Sequence, residues 1–125
     1  MDEAVENTAV DDVFISSVLP KKLPDFLQPF VEYRIKLFSK RDYIIHAGET
    51  RNIESCLLIN KKMINLCVHL KQFEFLPLTF ESEGLVHPRF EGRIIPSISN
   101  YTTKNMNIPR GSIIGYAVLQ PYSVK

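Results

Sequence analysis

The side chains in this sequence best suited to bond making are three histidines and two cysteines: His46, His69, His87, Cys56 and Cys67. Their spacing says little for metal chemistry. Cys67 and His69 form C-x-H on one face of a strand-like run, but a structural zinc site takes four ligands. There is no H-E-x-x-H and no histidine pair at i, i+4, so no metal or other cofactor is expected. Neither cysteine stands in C-x-x-C, and both lie in apolar stretches. Buried, reduced thiols are therefore expected, in place of a disulfide framework or a nucleophile. No G-x-G-x-x-G, G-x-x-x-x-G-K-[ST] or G-x-S-x-G occurs, which leaves phosphate-cradling loops and a hydrolase elbow without support. Ser16 and Ser17 have no recognisable catalytic partner.

The stretch GLVHPRFEGRIIPSISN, Gly84 to Asn100, carries more chemistry. It reads as a tight turn, a bent connection and a strand, with His87, Arg89 and Arg93 making it basic. A neutral imidazole at 87 can in principle accept a proton. It offers neither the two acceptor oxygens nor the fixed negative charge of a carboxylate. Arg89 and Arg93 are candidates for an interface, where an arginine pairs with a carboxylate of a neighbouring copy. Lys61 and Lys62 in the NKK turn read as a solvated loop tip. The sequon NYT at Asn100 is discounted because the N-terminus has no secretion signal.

Strands must position these groups. In EYRIKLF, Tyr33, Ile35 and Leu37 share one face while Glu32, Arg34 and Lys36 share the other, the period of a half-buried strand. The same alternation recurs in DYIIHAGE, NIESCLLIN, MINLCVHLK, FEFLPLTF, GRIIPSIS and SIIGYAVLQ, parted by turn-like pieces such as AGETR, NKK and NIPRG. Short strands at roughly ten-residue spacing argue for an all-β barrel or sandwich. Pro77 and Pro96 fall inside strand-like runs and should mark an edge, a bulge or a change of sheet, because proline has no amide to donate. Pro20, Pro24 and Pro29 predict an irregular, extended N-terminal connection, with VFISSVLP open to a short helix.

At 125 residues, 45% hydrophobic and 23% charged, the chain suits one globular domain over 13–125. Residues 1–12 hold Asp2, Glu3, Glu6, Asp11 and Asp12 without a base, which predicts a flexible acidic leader and leaves fifteen bases against nine acids in the remainder. No apolar run is long enough to span a membrane, so an intracellular protein is expected. The basic body permits binding of nucleic acid, but no interleaved arginine and aromatic stripe stands out along the sequence, and that reading is disfavoured.

The final third, EGLVHPRFEGRIIPSISNYTTKNMNIPRGSIIGYAVLQPYS, resembles the dUTPase and dCTP-deaminase superfamily. Gly84, Val86, Phe90, Gly92, Asn100, Gly111, Ile114 and the apolar strand to Leu119 match that family's pattern in order and spacing. Upstream, DYIIHAGETRNIESCLLI resembles its YxIPPxExxLVxT strand and turn. The resemblance implies a small β-clip barrel of about six to eight mostly antiparallel strands, usually a homotrimer. It implies a nucleotide-pocket remnant at Gly84, Val86, His87, Phe90 and Gly92. Structure alone also accounts for these matches, with glycines at turns and Phe90 and Ile114 filling the barrel.

In family members that hydrolyse nucleotides, an aspartate stands where this sequence has His87, and the aromatic beside it packs on deoxyribose. A phosphate-contacting PRSG segment is missing between Leu57 and the hairpin, and no glycine-rich arm follows the last strand before Lys125. Phosphoryl chemistry depends on positioning and charge. The expectation is therefore a non-catalytic viral β-clip protein, of the kind represented by the baculovirus telokin-like proteins. It would act in the host cytoplasm or nucleus through contacts with an unknown protein partner. The alternative is a divergent dUTP or dCTP diphosphatase using His87 with a carboxylate from another subunit, such as Glu49, Glu54 or Glu83.

Overall fold

The computed structural model describes residues 11–18, 33–61, 66–72, 77–81 and 84–121. The segment with Pro20, Pro24 and Pro29, together with residues 1–10, Lys62 and Glu83, lies outside the described residues.

Alternation along the chain becomes a four-stranded antiparallel sheet, in the order β2 (Tyr33–Phe38), β12 (Ile113–Pro121), β6 (Leu66–Gln72) and β8 (Gly84–Val86). In β2, Ile35 and Leu37 are buried while Arg34 and Lys36 are exposed, so the period-two reading holds residue by residue. Pairing sets Ile35 and Leu70 on either side of Ala117, and Tyr33 and Val68 on either side of Leu119. These rows form the inner face of the sheet and run into the core with Ile15, Ile45, Ile53, Leu57, Ile98 and Ile114.

The smaller sheets close over that core. One has the order β1 (Val13–Phe14), β5 (Leu57–Ile59), β9 (Gly92–Arg93). A second has the order β4 (Thr50–Asn52), β10 (Ser97–Ser99), β7 (Thr79–Phe80), and a third pairs β11 (Met106–Ile108) with β3 (Tyr43–Ile45). All pairings are antiparallel except β1 with β5. The expected all-β fold is what forms, with twelve strands among the described residues where six to eight were expected.

Part of that difference is Pro96. GRIIPSIS reads as one strand, but at Pro96 the chain leaves the sheet of β5 and enters that of β4 and β7. Pro96 contributes only its carbonyl, which accepts the Ile53 N–H at 2.8 Å, as a residue without an amide must. The VFISSVLP stretch divides too: Val13–Phe14 pairs as a strand, and Ile15–Val18 makes one helical turn, α1.

Asp12 fastens the start of this body. Its carboxylate accepts from Arg93 Nη1 at 2.8 Å and Nη2 at 3.3 Å, and it faces Lys40 Nζ at 2.9 Å. The acidic stretch read as a leader thus ends on a residue clamped to the hairpin. Hydrogen bonds from Arg93 and then Lys40 lower the Asp12 carboxyl from 3.8 to about 2. A depressed folded value means that the clamp stabilises fully above the unfolded value, about pH 4, and is lost as pH falls toward 2. Urea melts between pH 5 and pH 2 should therefore show a stability loss that Asp12→Asn removes, the variant starting from a lower plateau and changing less with acid.

Candidate functional site

The hairpin is positioned by two sheets. Strand β8 lies at the edge of the four-stranded sheet, with Val86 opposite Val68 and Gly84 opposite Leu70. Strand β9 pairs with β5, Arg93 opposite Leu58. Between them His87-Pro88-Arg89-Phe90 makes a tight turn, closed by the Phe90 N–H donating to the His87 carbonyl at 2.9 Å. Pro88 at the second position suits such a turn, since its φ is already set. Gly92 follows at φ 137, a backbone angle that a side chain would strain.

An open groove of about 270 Å³ runs beside this turn, lined by Leu70, Val86, His87, Phe90, Ile94 and Ile95. Leu70 and Ile94 are its buried floor, while Phe90 and Ile95 stay exposed at the rim. Among the described residues, Val86, His87 and Phe90 line this groove together. Gly84 and Gly92 shape the backbone at either end. Leu70 and Ile94 were not picked out. The first arrives through strand pairing, and only its place in an alternating run gave a sign of it.

His87 is set in one tautomer. The Arg89 backbone N–H donates to His87 Nδ1 at 3.0 Å, and a backbone amide cannot accept. Nδ1 must therefore present its lone pair, and the ring proton sits on Nε2. The nitrogen left to face a ligand is a donor, where a carboxylate would be an acceptor.

Arg89 is exposed beside it. Arg93 does not point outward for a neighbouring copy: it is spent within the chain on Asp12 and on the Ser55 carbonyl, at 2.9 Å. This places the expected interface pairing inside the subunit for Arg93. Glu49 accepts the His46 N–H at 2.8 Å, and Glu54 pairs with Arg41 Nε at 3.0 Å.

Other candidates separate from the groove. Cys56 and Cys67 are free thiols, and burial pushes the Cys56 thiol up, away from nucleophilic use. Cys67 and His69 share a face of β6, but among the described residues no three His, Cys, Asp or Glu side chains converge. Asn100 of the NYT sequon is buried, its amide donating to the carbonyls of Ile45 and Lys104. Its nitrogen is not available to a glycan. None of the described helices is long and apolar enough to cross a membrane.

No family model and no curated protein sequence matches this chain. Its fold does match solved structures. The dUTPase from Streptococcus mutans is 18% identical, with 94% of each chain covered and a TM-score of 0.63. A mutant dUTPase of Staphylococcus bacteriophage 80alpha with dUpNHpp is 13% identical, covering 86% of this chain and 78% of that one, at 0.64. A mutant dUTPase from phage phi11 of S. aureus, which coordinates a structural Mg(II) ion, is 12% identical, covering 72% and 77%, at 0.62.

The chain therefore has a dUTPase-like fold. The narrower likeness to telokin-like viral proteins draws no support from these structures. They also correct the expectation of a non-enzyme, because the structures it resembles are dUTPases, which are enzymes. Among the described residues no three His, Cys, Asp or Glu side chains converge to hold a magnesium ion within one subunit.

Proposed function

We propose that the hairpin groove binds a nucleoside phosphate and that the chain is a divergent nucleotide diphosphatase for dUTP or dCTP, working as a homotrimer. The observation that carries this is the groove itself: apolar walls from Val86, Phe90 and Ile95 beside one fixed donor, His87 Nε2–H, on a dUTPase-like backbone. The base or sugar packs on the Phe90 ring, and His87 donates to a sugar oxygen. Arg89 lies next to it as a cation for phosphate.

With its proton on Nε2, His87 serves in this reading to orient the ligand and not to remove a proton. Water attacks phosphorus as the bond to the leaving pyrophosphate breaks, and the water proton passes to a carboxylate of a neighbouring subunit. Glu49 and Glu54 are candidates, each already holding one partner in its own chain. Closing such a site between copies gives the trimer a chemical purpose.

Purified protein incubated with dUTP or dCTP and magnesium should release pyrophosphate. His87→Gln, whose side-chain amide still donates, should stay within about tenfold of the parent in kcat/KM. His87→Ala should fall roughly ten- to hundredfold below it, the loss expected for one orienting hydrogen bond. Absence of turnover together with no binding of dUpNHpp sinks the reading. Equal loss in both variants sinks the donor role alone.

A further inference from the structure

The polar side chains that the hairpin turn offers to the groove present donors and no open acceptor. Apart from His87, the lining side chains of Leu70, Val86, Phe90, Ile94 and Ile95 are apolar. His87 Nδ1 is taken by the Arg89 N–H, which leaves Nε2–H for a ligand. The Ile94 carbonyl is filled as well, by the Ser55 N–H at 3.1 Å and the Ser55 hydroxyl at 2.7 Å. Arg89, two residues on, is exposed and can only donate. Among the described residues neither His87 Nε2 nor the Arg89 guanidinium has a partner. Two further charges stand on the same hairpin. Arg93 is tied to Asp12, and Glu91 is exposed and makes no ion pair with Arg89.

We infer that the groove prefers a nucleotide phosphorylated on its 3′ as well as its 5′ oxygen, with the 3′ phosphate held by His87 Nε2–H and Arg89. This ligand class rests on the groove being a nucleoside phosphate site in which His87 donates to a sugar oxygen. A donor reads lone pairs and is indifferent to a hydroxyl hydrogen. A free 3′ hydroxyl therefore gains one neutral hydrogen bond from the imidazole, and its own hydrogen meets no side-chain acceptor in the groove. Phosphate on that oxygen removes the hydrogen, keeps the lone pairs and adds an oxyanion, so that the bonds from the imidazole and the guanidinium become charge-assisted. His87 and Arg89 are exposed, and the remaining phosphate oxygens stay in water, which keeps the desolvation cost small. At about 270 Å³ the groove suits one nucleotide unit and not several. A phosphomonoester and the diester of a short strand share this oxyanion, the monoester with the larger charge.

Calorimetric titration of the full chain with 2′-deoxyuridine 3′,5′-bisphosphate and with dUMP, which differ only at the 3′ oxygen, tests it. The bisphosphate should bind about ten- to hundredfold more tightly, the effect of charge-assisted hydrogen bonds at an exposed margin. That advantage should shrink as salt rises. His87→Asp should cancel it: an aspartate can take the same Arg89 N–H in an Asx-turn and keep the turn closed, while it sets negative charge against the phosphate. Arg89→Gln should reduce the advantage at least about threefold, and Arg110→Gln, which removes an exposed cation from another turn, should leave it within about twofold. Circular dichroism checks that each variant folds; should His87→Asp melt, the comparison of the two arginine variants decides. The dinucleotide pdUpdU separates the sources. An advantage as large as the bisphosphate's assigns the phosphate to a strand and a smaller one to a free bisphosphate, and either supports the 3′ oxyanion. Binding of dUMP that a 3′ phosphate leaves unchanged or weakens overturns the 3′ preference alone, as does an equal loss in the two arginine variants. Failure of dUMP, dUpNHpp and the bisphosphate to bind at all overturns the nucleotide reading together with it.

Discussion

Gly115→Ala should lower stability by about 3 kcal/mol, the upper end for a methyl forced into a packed site, and the midpoint of thermal unfolding by about 10 °C for a chain of this size. Gly115 lies in β12, the strand flanked by β2 and β6, opposite Leu37 on one side and Gln72 on the other. A Cβ there would stand 2.7 Å from the Lys71 carbonyl oxygen and 3.0 Å from Cε1 of Phe80. The ring can give way; the carbonyl belongs to the backbone of β6, which moves only by loosening its pairing with β12. Shortening the ring with Phe80→Leu should therefore recover only a minor part of the loss. A double-mutant cycle by urea unfolding checks this: full recovery would mean that the ring, and not the strand, is what a methyl meets.

The contrast between Gly115 and Ile35 shows which parts of the fold could be read ahead. Ile35 and Leu37 announce themselves through alternation, because burial of one strand face is a local pattern. Gly115 has no local mark. Its need for a missing side chain comes from Lys71 and Phe80, which lie more than thirty positions away, and from a register shift between Ile113 and Gly115. The Asp12 clamp is hidden for the same reason: its partner Arg93 is separated by 81 positions. Nothing local in the acidic run marks Asp12, its last residue, as the one that is paired.

The site divides along the same line. Val86, His87 and Phe90 sit within five residues and were found together, since a turn is local. The donor state of His87 was within reach as well: a histidine opening an H-P-R-F turn places Nδ1 near the amide two residues on, much as an aspartate does in an Asx-turn. Leu70 and the sheet-face row of Lys36, Tyr116 and Lys71 are products of pairing between β2, β12 and β6. The members of such a row are neighbours across strands and not along one, so no local pattern marks them.

Asn100→Ala should cost roughly 3 kcal/mol, because the buried Ile45 carbonyl and partly buried groups of Thr102 and Lys104 lose their partner at once. Asn100 is 0% exposed. Its Nδ2 donates to the Ile45 carbonyl at 2.8 Å and the Lys104 carbonyl at 2.7 Å. Its Oδ1 accepts from Thr102 N at 3.0 Å and Thr102 Oγ1 at 2.6 Å. One amide thus ties the end of β10 to β3 and to the following turn.

Asn100→Asp separates shape from chemistry, since it keeps the volume and replaces both donated hydrogens by an oxygen facing two carbonyl oxygens. At neutral pH it should be at least as damaging as alanine. Protonation restores one donor, so the folded state favours the neutral acid and the carboxyl is raised above its unfolded value. A raised acid gains stability as pH falls toward that unfolded value. Urea midpoints for Asn100→Asp should therefore rise between pH 7 and pH 4, over a range where the parent, whose Asp12 clamp is intact above about pH 4, gains nothing from this source. A midpoint that stays level or falls over that interval would show that the two carbonyls do not confront the substituted oxygen.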